Sequence, residues 1–320
     1  MMNSDTTVSV CMITYNHEAF ISTAIEGVLM QEADFAIELV IGEDCSTDNT
    51  RHICETYVAK HPGKIKLLPS SKNLGTQKNF LRTFAACLDA PYVAFCDGDD
   101  KWSDKDKLSI QVEFLQLNPI YTAHAHNVLH RDLRDMTERH FGESIDKPCT
   151  VSELVLGWPF HGISLMVKSD LLKLLPITRL PYFISCDRFL NIWIACNGAL
   201  YYEGTRNMAI YHRHVSGASE NSNYAELKDQ ELSILEFFKP FIADENIYRQ
   251  ARVKAIQSFV YLLAQSNQKR KFSKQLVLAL EYIKLTRMAK KSDNYYLLLI
   301  LFGRPFFVSH RKLLKRNILC

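Results

Sequence analysis

The sequence predicts an α/β fold with a parallel-centred sheet, and three observations carry that prediction. Short, nearly continuous apolar runs begin at Val8 (VSVCMI), Glu38 (ELVIGE), Ile65 (IKLL) and Tyr92 (YVAFC), as expected of strands buried on both faces. Between them, Ala19 to Met30, Thr50 to Lys60 and Gln77 to Leu88 have helical spacing, which gives a β-α-β-α-β-α-β order. Polar clusters follow three of the strands. Strands joined by helical crossovers run parallel, and their ligands bind beyond the strands' carboxyl ends.

Taken in order, strand one ends in Asn16 and His17, and strand two in Asp44-Cys45-Ser46-Thr47-Asp48, where Ser46 to Asn49 offer N-caps for the next helix. Strand four ends in Asp97 to Asp100. A helix from about Asp104 to Leu117, a strand at Tyr121 to Leu129 and a less regular stretch from Arg131 to Pro148 come next. Then a helix from Ser152, a strand at Ser164 to Val167, a helix at Asp187 to Asn197 and strands near Leu200 to Tyr202 and Met208 to His212 are expected. Beyond Tyr224 the pattern is almost wholly helical. The expected division is therefore 1–222, split near 118 into two halves, followed by a helical region over 223–320. No internal repeat or low-complexity tract is evident.

Composition narrows the function. The chain has 320 residues, 47% hydrophobic and 23% charged, with a net charge of +3, too small a charge to argue for nucleic acid. The nine cysteines include no C-x-x-C pair, which disfavours both zinc and a disulfide framework. Cysteines inside apolar runs such as VCMITY and YVAFCDG fit a reducing cytoplasm. MMNSDTTVSV carries no secretory pattern, and the longest apolar run, Tyr295 to Phe302, has eight residues, against about 20 for a membrane span.

The chemistry concentrates in FCDGDDKW, where a buried strand runs straight into Asp97, Asp99 and Asp100. Carboxylates so closely spaced repel, so they stand in water or share a cation. Neither G-x-x-x-x-G-K-[ST] nor a G-x-G-x-x-G after strand one is present. What remains is an Asp-x-Asp turn on the ligand edge, which can hold a hard divalent ion against the two phosphates of a nucleotide diphosphate. The alternative is a solvated Asp-Gly turn.

VSVCMITYNHEAFISTAIEGVLMQ, ELVIGEDCSTDNT, KNLGTQKNF and APYVAFCDGDDKWSDKDKLSIQVEFLQLNP together resemble the catalytic domain of family 2 glycosyltransferases, over residues 6 to 220 or so. The resemblance implies the GT-A-like, Rossmann-type fold and inverting transfer from a nucleotide-diphosphate sugar, with Mn²⁺ or Mg²⁺ as cofactor. It makes Tyr15 the aromatic that stacks on the base, Asp44 the acid on the base edge, with Glu43 before it, and Lys78 a cation near the nucleotide. Asp97 falls on the ribose contact and Asp99 on the metal ligand, with Asp100 holding the loop.

ISCDRFLNIWIACNGALYYEGTRNMAIYHRHVSGAS resembles the second characteristic segment of the family. Asp187 matches its acid, the general base, and His214 a position that completes metal coordination. The sequence departs by placing His212 where arginine is usual, which leaves open which histidine faces the metal. His124 and His126 alternate on one strand face without a third ligand and are read as structural. Trp158 and His161, in GWPFHG, are candidate acceptor contacts, with core packing as the alternative.

From Lys269 the chain mixes KRK, RMAKK, NYYLLLILF and HRKLLKR, a pattern that suits either peripheral contact with an anionic membrane or packing with a solvated basic face. The expected function is metal-dependent sugar transfer, with a UDP-sugar as the default donor, to a hydroxyl of a glycan or lipid-linked acceptor in surface polysaccharide biosynthesis. The expected place is the cytoplasm, and the basic run leaves open whether the chain also touches the inner face of the membrane. Two rivals are a non-catalytic nucleotide-sugar-binding protein, which has no use for Asp187, and a sugar nucleotidyltransferase, which needs a Gly-rich basic loop where TYNHEAF stands.

Overall fold

The computed structural model describes residues 6–183, 185–215, 217 and 224–265. The chain forms two compact units, Met1–Asn221 and Ser222–Cys320. The first opens with β1 Thr6–Thr14, α1 Ile21–Leu29, β2 Ala36–Glu43, α2 Thr50–Lys60, β3 Ile65–Pro69, α3 Thr76–Ala85 and β4 Tyr92–Phe95, the alternation that the apolar runs predict. Next come β5 Lys101–Trp102, α4 Lys107–Leu117, β6 Ala123–Asp132, β7 Thr137–His140, β8 Asp146–Cys149 and α5 Val151–Leu156. After a 3-10 turn at Gly162–Ser164 follow β9 Met166–Lys168, α6 Ser169–Lys173, α7 Cys186–Asn197 and β10 Leu200–Arg213.

One mixed sheet runs in the order β3-β2-β1-β4-β9-β6-β10-β5, with β7 on β6 and β8 on β10. Strands β3, β2, β1 and β4 are parallel, β9 is antiparallel to both β4 and β6, and β10 is parallel to β6. Two reversals through β9 restore the direction. The carboxyl ends of β1, β2, β4, β6 and β10 therefore share one edge of the sheet, and the site residues gather there.

Burial explains the local choices. In α1, Ile21, Ala24, Ile25 and Val28 recur at the i, i+3, i+4, i+7 spacing, and all four are buried with Val8, Val10 and Met12 of β1 in one apolar cluster. Each large side chain so buried contributes about 1.5–3 kcal/mol, and a charge at Ile25 would break the layer. His124 and His126 are buried in β6, consistent with a structural place.

The structure departs from the sequence reading in three places. The stretch 131–148 contains β7 and β8 rather than irregular chain. The two strands expected at 200–202 and 208–212 are one strand, β10. Gly204-Thr205-Arg206 resembles a turn, but β10 absorbs it as a bulge: between Glu203 and Asn207 the partner β6 advances only from His126 to Asn127. Asp146 of β8 fixes the bulge by accepting from the Thr205 backbone N–H at 2.9 Å. Finally, Asn49 stands at the N-cap of α2 without a side-chain bond, and it is Asp48, another of the offered caps, whose Oδ1 accepts the Thr50 N–H at 3.0 Å.

The second unit contains helices α8 Tyr224–Phe238 and α9 Glu245–Gln265, with Ile234, Leu235, Phe238, Tyr248 and Ile256 buried. The basic and apolar run from Lys269 lies outside the described residues. Among the described residues no helix is long and apolar enough to cross a membrane.

Candidate active site

The acid loop begins where β4 ends. Gly98 passes so close to the end of β1 that a Cβ there would lie 2.7 Å from Thr14 Oγ1, and its N–H donates to Ile13 O at 3.0 Å. Asp100 is buried and accepts the His212 N–H at 3.0 Å, which ties the loop to β10. Burial, and then the Asp99 and Asp97 charges, push its carboxyl well above the usual range.

Asp99 points the other way, into the cleft, between two imidazoles. Its Oδ2 lies 3.1 Å from His214 Nε2 and 3.5 Å from His17 Nε2, while its carbonyl accepts from His212 Nδ1 at 3.0 Å. Desolvation opposes its ionisation, but His17 and His214 outweigh that and hold the carboxyl below its ordinary value. The two histidines thus divide: His214 faces the Asp99 side chain and His212 the Asp99 backbone. Asp97 is pushed up to about 8 by desolvation and by the Asp99 and Asp187 carboxylates. Its side chain nevertheless opens to solvent, so the desolvation is that of a cleft and not of a closed core.

Beside the acid loop stands a pair of latched loops. Asn16, at a left-handed φ of 55°, donates its N–H to Ser46 Oγ and accepts from the Thr47 N–H at 2.8 Å, and Glu18 Oε2 accepts from Asn49 N–H at 2.9 Å. These bonds leave Tyr15 40% exposed beside the cleft. Asp44, buried, accepts from Leu74 N–H at 2.8 Å and Gly75 N–H at 2.9 Å, with a second lone pair free on each oxygen. Fully buried Glu43 accepts from Ser46 N–H and pairs with Arg51.

Lys78 lies exposed on α3, three residues past Gly75 and away from the acids of the cleft. The cations that do reach this loop are Arg51 and Arg82, the latter donating to Glu43 O at 2.8 Å. In sequence both read as solvated helix residues, and only the packing of α2 and α3 onto the strand ends turns them inward.

The remaining acid of the cleft is carried by α7. Asp187 stands in its first turn and accepts from the Arg188 N–H at 2.8 Å, a place where the helix dipole favours a carboxylate. Arg188 is buried and donates to Leu154 O at 2.7 Å and to the Val155 and Gly157 carbonyls, which α5 leaves unpaired at its end. His161 stacks on Tyr211 with centroids 4.1 Å apart, and burial pushes it down to about 4 although Asp99 pulls it back up. Trp158 is 44% exposed and shares no described contact with the acids. The structure thus brings Asp97, Asp99, Asp187, His214 and His161 to one cleft edge and leaves Lys78 and Trp158 at its margin.

The donor set suits a divalent ion. A carboxylate with an imidazole 3.1 Å away has the spacing of two adjacent ligands at bond lengths of about 2.1 Å, and oxygen plus imidazole donors are a normal set for Mn²⁺. Among the described residues no three His, Cys, Asp or Glu side chains form a complete cage.

Comparison with known proteins follows the same lines. The pattern of Glycosyl transferase family 2 matches residues 9–148. An uncharacterized glycosyltransferase of Nostoc is 30% identical over 240 residues, which cover 70% of this chain and 71% of that protein. The dTDP-rhamnosyl transferase RfbG of Shigella flexneri is 37% identical over 110 residues, 33% of this chain and 37% of RfbG. The chain spans only 35% of the length of the uncharacterized mycobacterial proteins it matches at 36% identity. In fold, it resembles S. aureus TarS 1-349, solved in complex with UDP-GlcNAc, with a TM-score of 0.67 at 16% identity over 97% of this chain and 91% of TarS 1-349. The motifs, the sheet order and the Nostoc relative agree: the chain belongs to glycosyltransferase family 2.

Proposed function

We propose that the protein is a metal-dependent, inverting glycosyltransferase that moves a sugar from a nucleotide diphosphate, UDP by default, to a hydroxyl of a glycan or lipid-linked acceptor during surface polysaccharide assembly. The observation that carries this reading is the convergence of Asp97, Asp99, His214 and Asp187 at one edge of the sheet. Tyr15 offers a flat face for the base, and Asp44 an acceptor for its edge, fixed by the Leu74 and Gly75 N–H groups. Lys78 supplies a mobile cation on the same side, and Asp97 faces the ribose.

Asp99 and His214 would hold Mn²⁺ or Mg²⁺, which when bound offsets the charge of the departing diphosphate. Asp187 takes the proton of the acceptor hydroxyl as that oxygen attacks the anomeric carbon from the face opposite the diphosphate. One displacement inverts the configuration. His161 and Trp158 border the space left for the acceptor. The reduced cysteines of the sequence and the basic run from Lys269 support a cytoplasmic protein at the inner face of the membrane.

The test begins with thermal shift against UDP-, GDP- and dTDP-sugars with Mn²⁺, since a bound ligand stabilises by mass action. With the donor so chosen, Asp187→Asn is expected to keep donor affinity and lose about 10²-fold or more in transfer. Turnover equal to the parent's would remove Asp187 from the role of base.

A further inference from the structure

Asp187 is set from outside its own helix. A Cβ on Gly162 would fall 2.7 Å from the Cβ of Asp187, closer than two carbons pack. Gly162 does not have a left-handed φ, so the requirement for glycine there arises from the close approach of Asp187 and not from the turn. The neighbouring carbonyls are held from the buried side. Trp102 Nε1 donates to Ile163 O at 3.1 Å, and Gln111 Nε2 donates to Ser164 O at 2.8 Å. Lys107 donates to Gln111 Oε1 at 2.7 Å, which orients the amide with its N–H groups toward those carbonyls.

Trp102 also belongs to the acid loop. It lies two residues past Asp100, in β5, which pairs with β10 at Ala209, and its indole is wholly buried. One rigid side chain therefore links the loop that carries Asp97 and Asp99 to the turn that touches Asp187.

We infer that Gly162, backed by Trp102 and Gln111, is a positioning clasp that sets the base relative to the acids facing the donor. The inference rests on the reading of Asp187 as base. Buried carbonyls need donors in any protein, so these bonds could also serve stability alone; a purely structural role would lower the melting temperature without changing the rate per folded molecule. Positioning has a different signature, because a displacement of about 1 Å can cost on the order of 10²-fold in rate.

The test compares Gly162→Ala, Trp102→Phe, Asp187→Asn and the Gly162→Ala/Asp187→Asn double variant in the full chain. Calorimetry with UDP and Mn²⁺ reads donor-site affinity, and single-turnover transfer from the donor found by thermal shift reads the chemistry. Gly162→Ala is expected to lose about tenfold or more in transfer with UDP affinity unchanged within about twofold, and to add nothing in the Asp187→Asn background. Trp102→Phe, which keeps a buried ring and removes the donor, should show the same split and keeps the test open if Gly162→Ala misfolds. Full transfer by both Gly162→Ala and Trp102→Phe beside an inactive Asp187→Asn would overturn the clasp and leave the base in place. Losses that multiply fully in the double variant would overturn it as well. An active Asp187→Asn would instead remove the base on which the clasp depends.

Discussion

Lys107 should make the protein less stable at neutral pH than at alkaline pH, and Lys107→Met should remove that dependence. Its side chain is fully buried, with Nζ 4.1 Å from the Trp102 ring centroid and one hydrogen bond to Gln111. Burial lowers its pKa from 10.5 to about 7, against a smaller pull upward from Cys96. Between those limits the unfolded chain holds a proton that the folded chain lacks. Stability therefore climbs with pH by up to about 1.4 kcal/mol per unit, levels off above 10.5 and is flat below about 7. The whole span is at most about 5 kcal/mol, and the attraction of an ammonium to the indole face, about 2 kcal/mol when desolvated, lowers it toward about 3 kcal/mol. Lys107→Met keeps the length and apolar stem but leaves Gln111 Oε1 without this donor, a constant cost of about 1–3 kcal/mol. Urea unfolding of both proteins from pH 6 to 10 separates the two effects, because only the linkage changes with pH. The difference curve should tilt in favour of the variant as pH falls from 10 to 7. Parallel curves would show that the amine stays charged inside the fold and would refute the reasoning.

Two further outcomes bear on the donor. Asp99→Asn should abolish Mn²⁺-dependent UDP binding by calorimetry with the fold intact by circular dichroism, and undiminished affinity would remove Asp99 from metal binding. Tyr15→Ala should weaken UDP binding by about 1–3 kcal/mol, the usual worth of a base stacked on an aromatic ring, whereas an unchanged dissociation constant would place the base elsewhere.

The first four strands, the crossover helices and the acid loop were legible because each has a periodicity or charge pattern that a few adjacent residues display. Asp99 and His214 could be named from sequence; that they meet could not, since the contact joins residues 115 apart in the chain. Arg51 and Arg82 escaped because a half-buried guanidinium on a crossover helix has the same local pattern as a solvated one. Lys107 was hidden for the same reason: it opens α4 amid Asp104, Lys105 and Asp106, and only the sheet behind it makes it a core residue. Gly162 carries no turn signal that marks Asp187 as its neighbour. Long β10 was misread because Gly204 lies within a bulge, and a bulge and a turn share composition.

The ionisation of the cleft bears directly on what enters it. Four carboxyls, Asp97, Asp99, Asp100 and Asp187, stand near one another, and the fold treats them unequally. Asp100 is buried and pushed toward its protonated form, Asp99 is held below its ordinary value by His17 and His214, and Asp97 is raised by desolvation and then by the Asp99 and Asp187 carboxylates. A nucleotide diphosphate brought here alone would meet a negative Asp99, and the latched loops beside it spend their arginines elsewhere: Arg51 on Glu43 and Arg82 on backbone carbonyls. An anionic donor therefore fits this cleft when a cation accompanies it. The same ion, by drawing off the negative charge around Asp97, would reverse the repulsion that raises its pKa. On the proposed reading, a divalent ion at Asp99 would reconcile the acid-rich edge with an anionic donor, and this is the physical ground for proposing FCDGDDKW as a metal-binding turn.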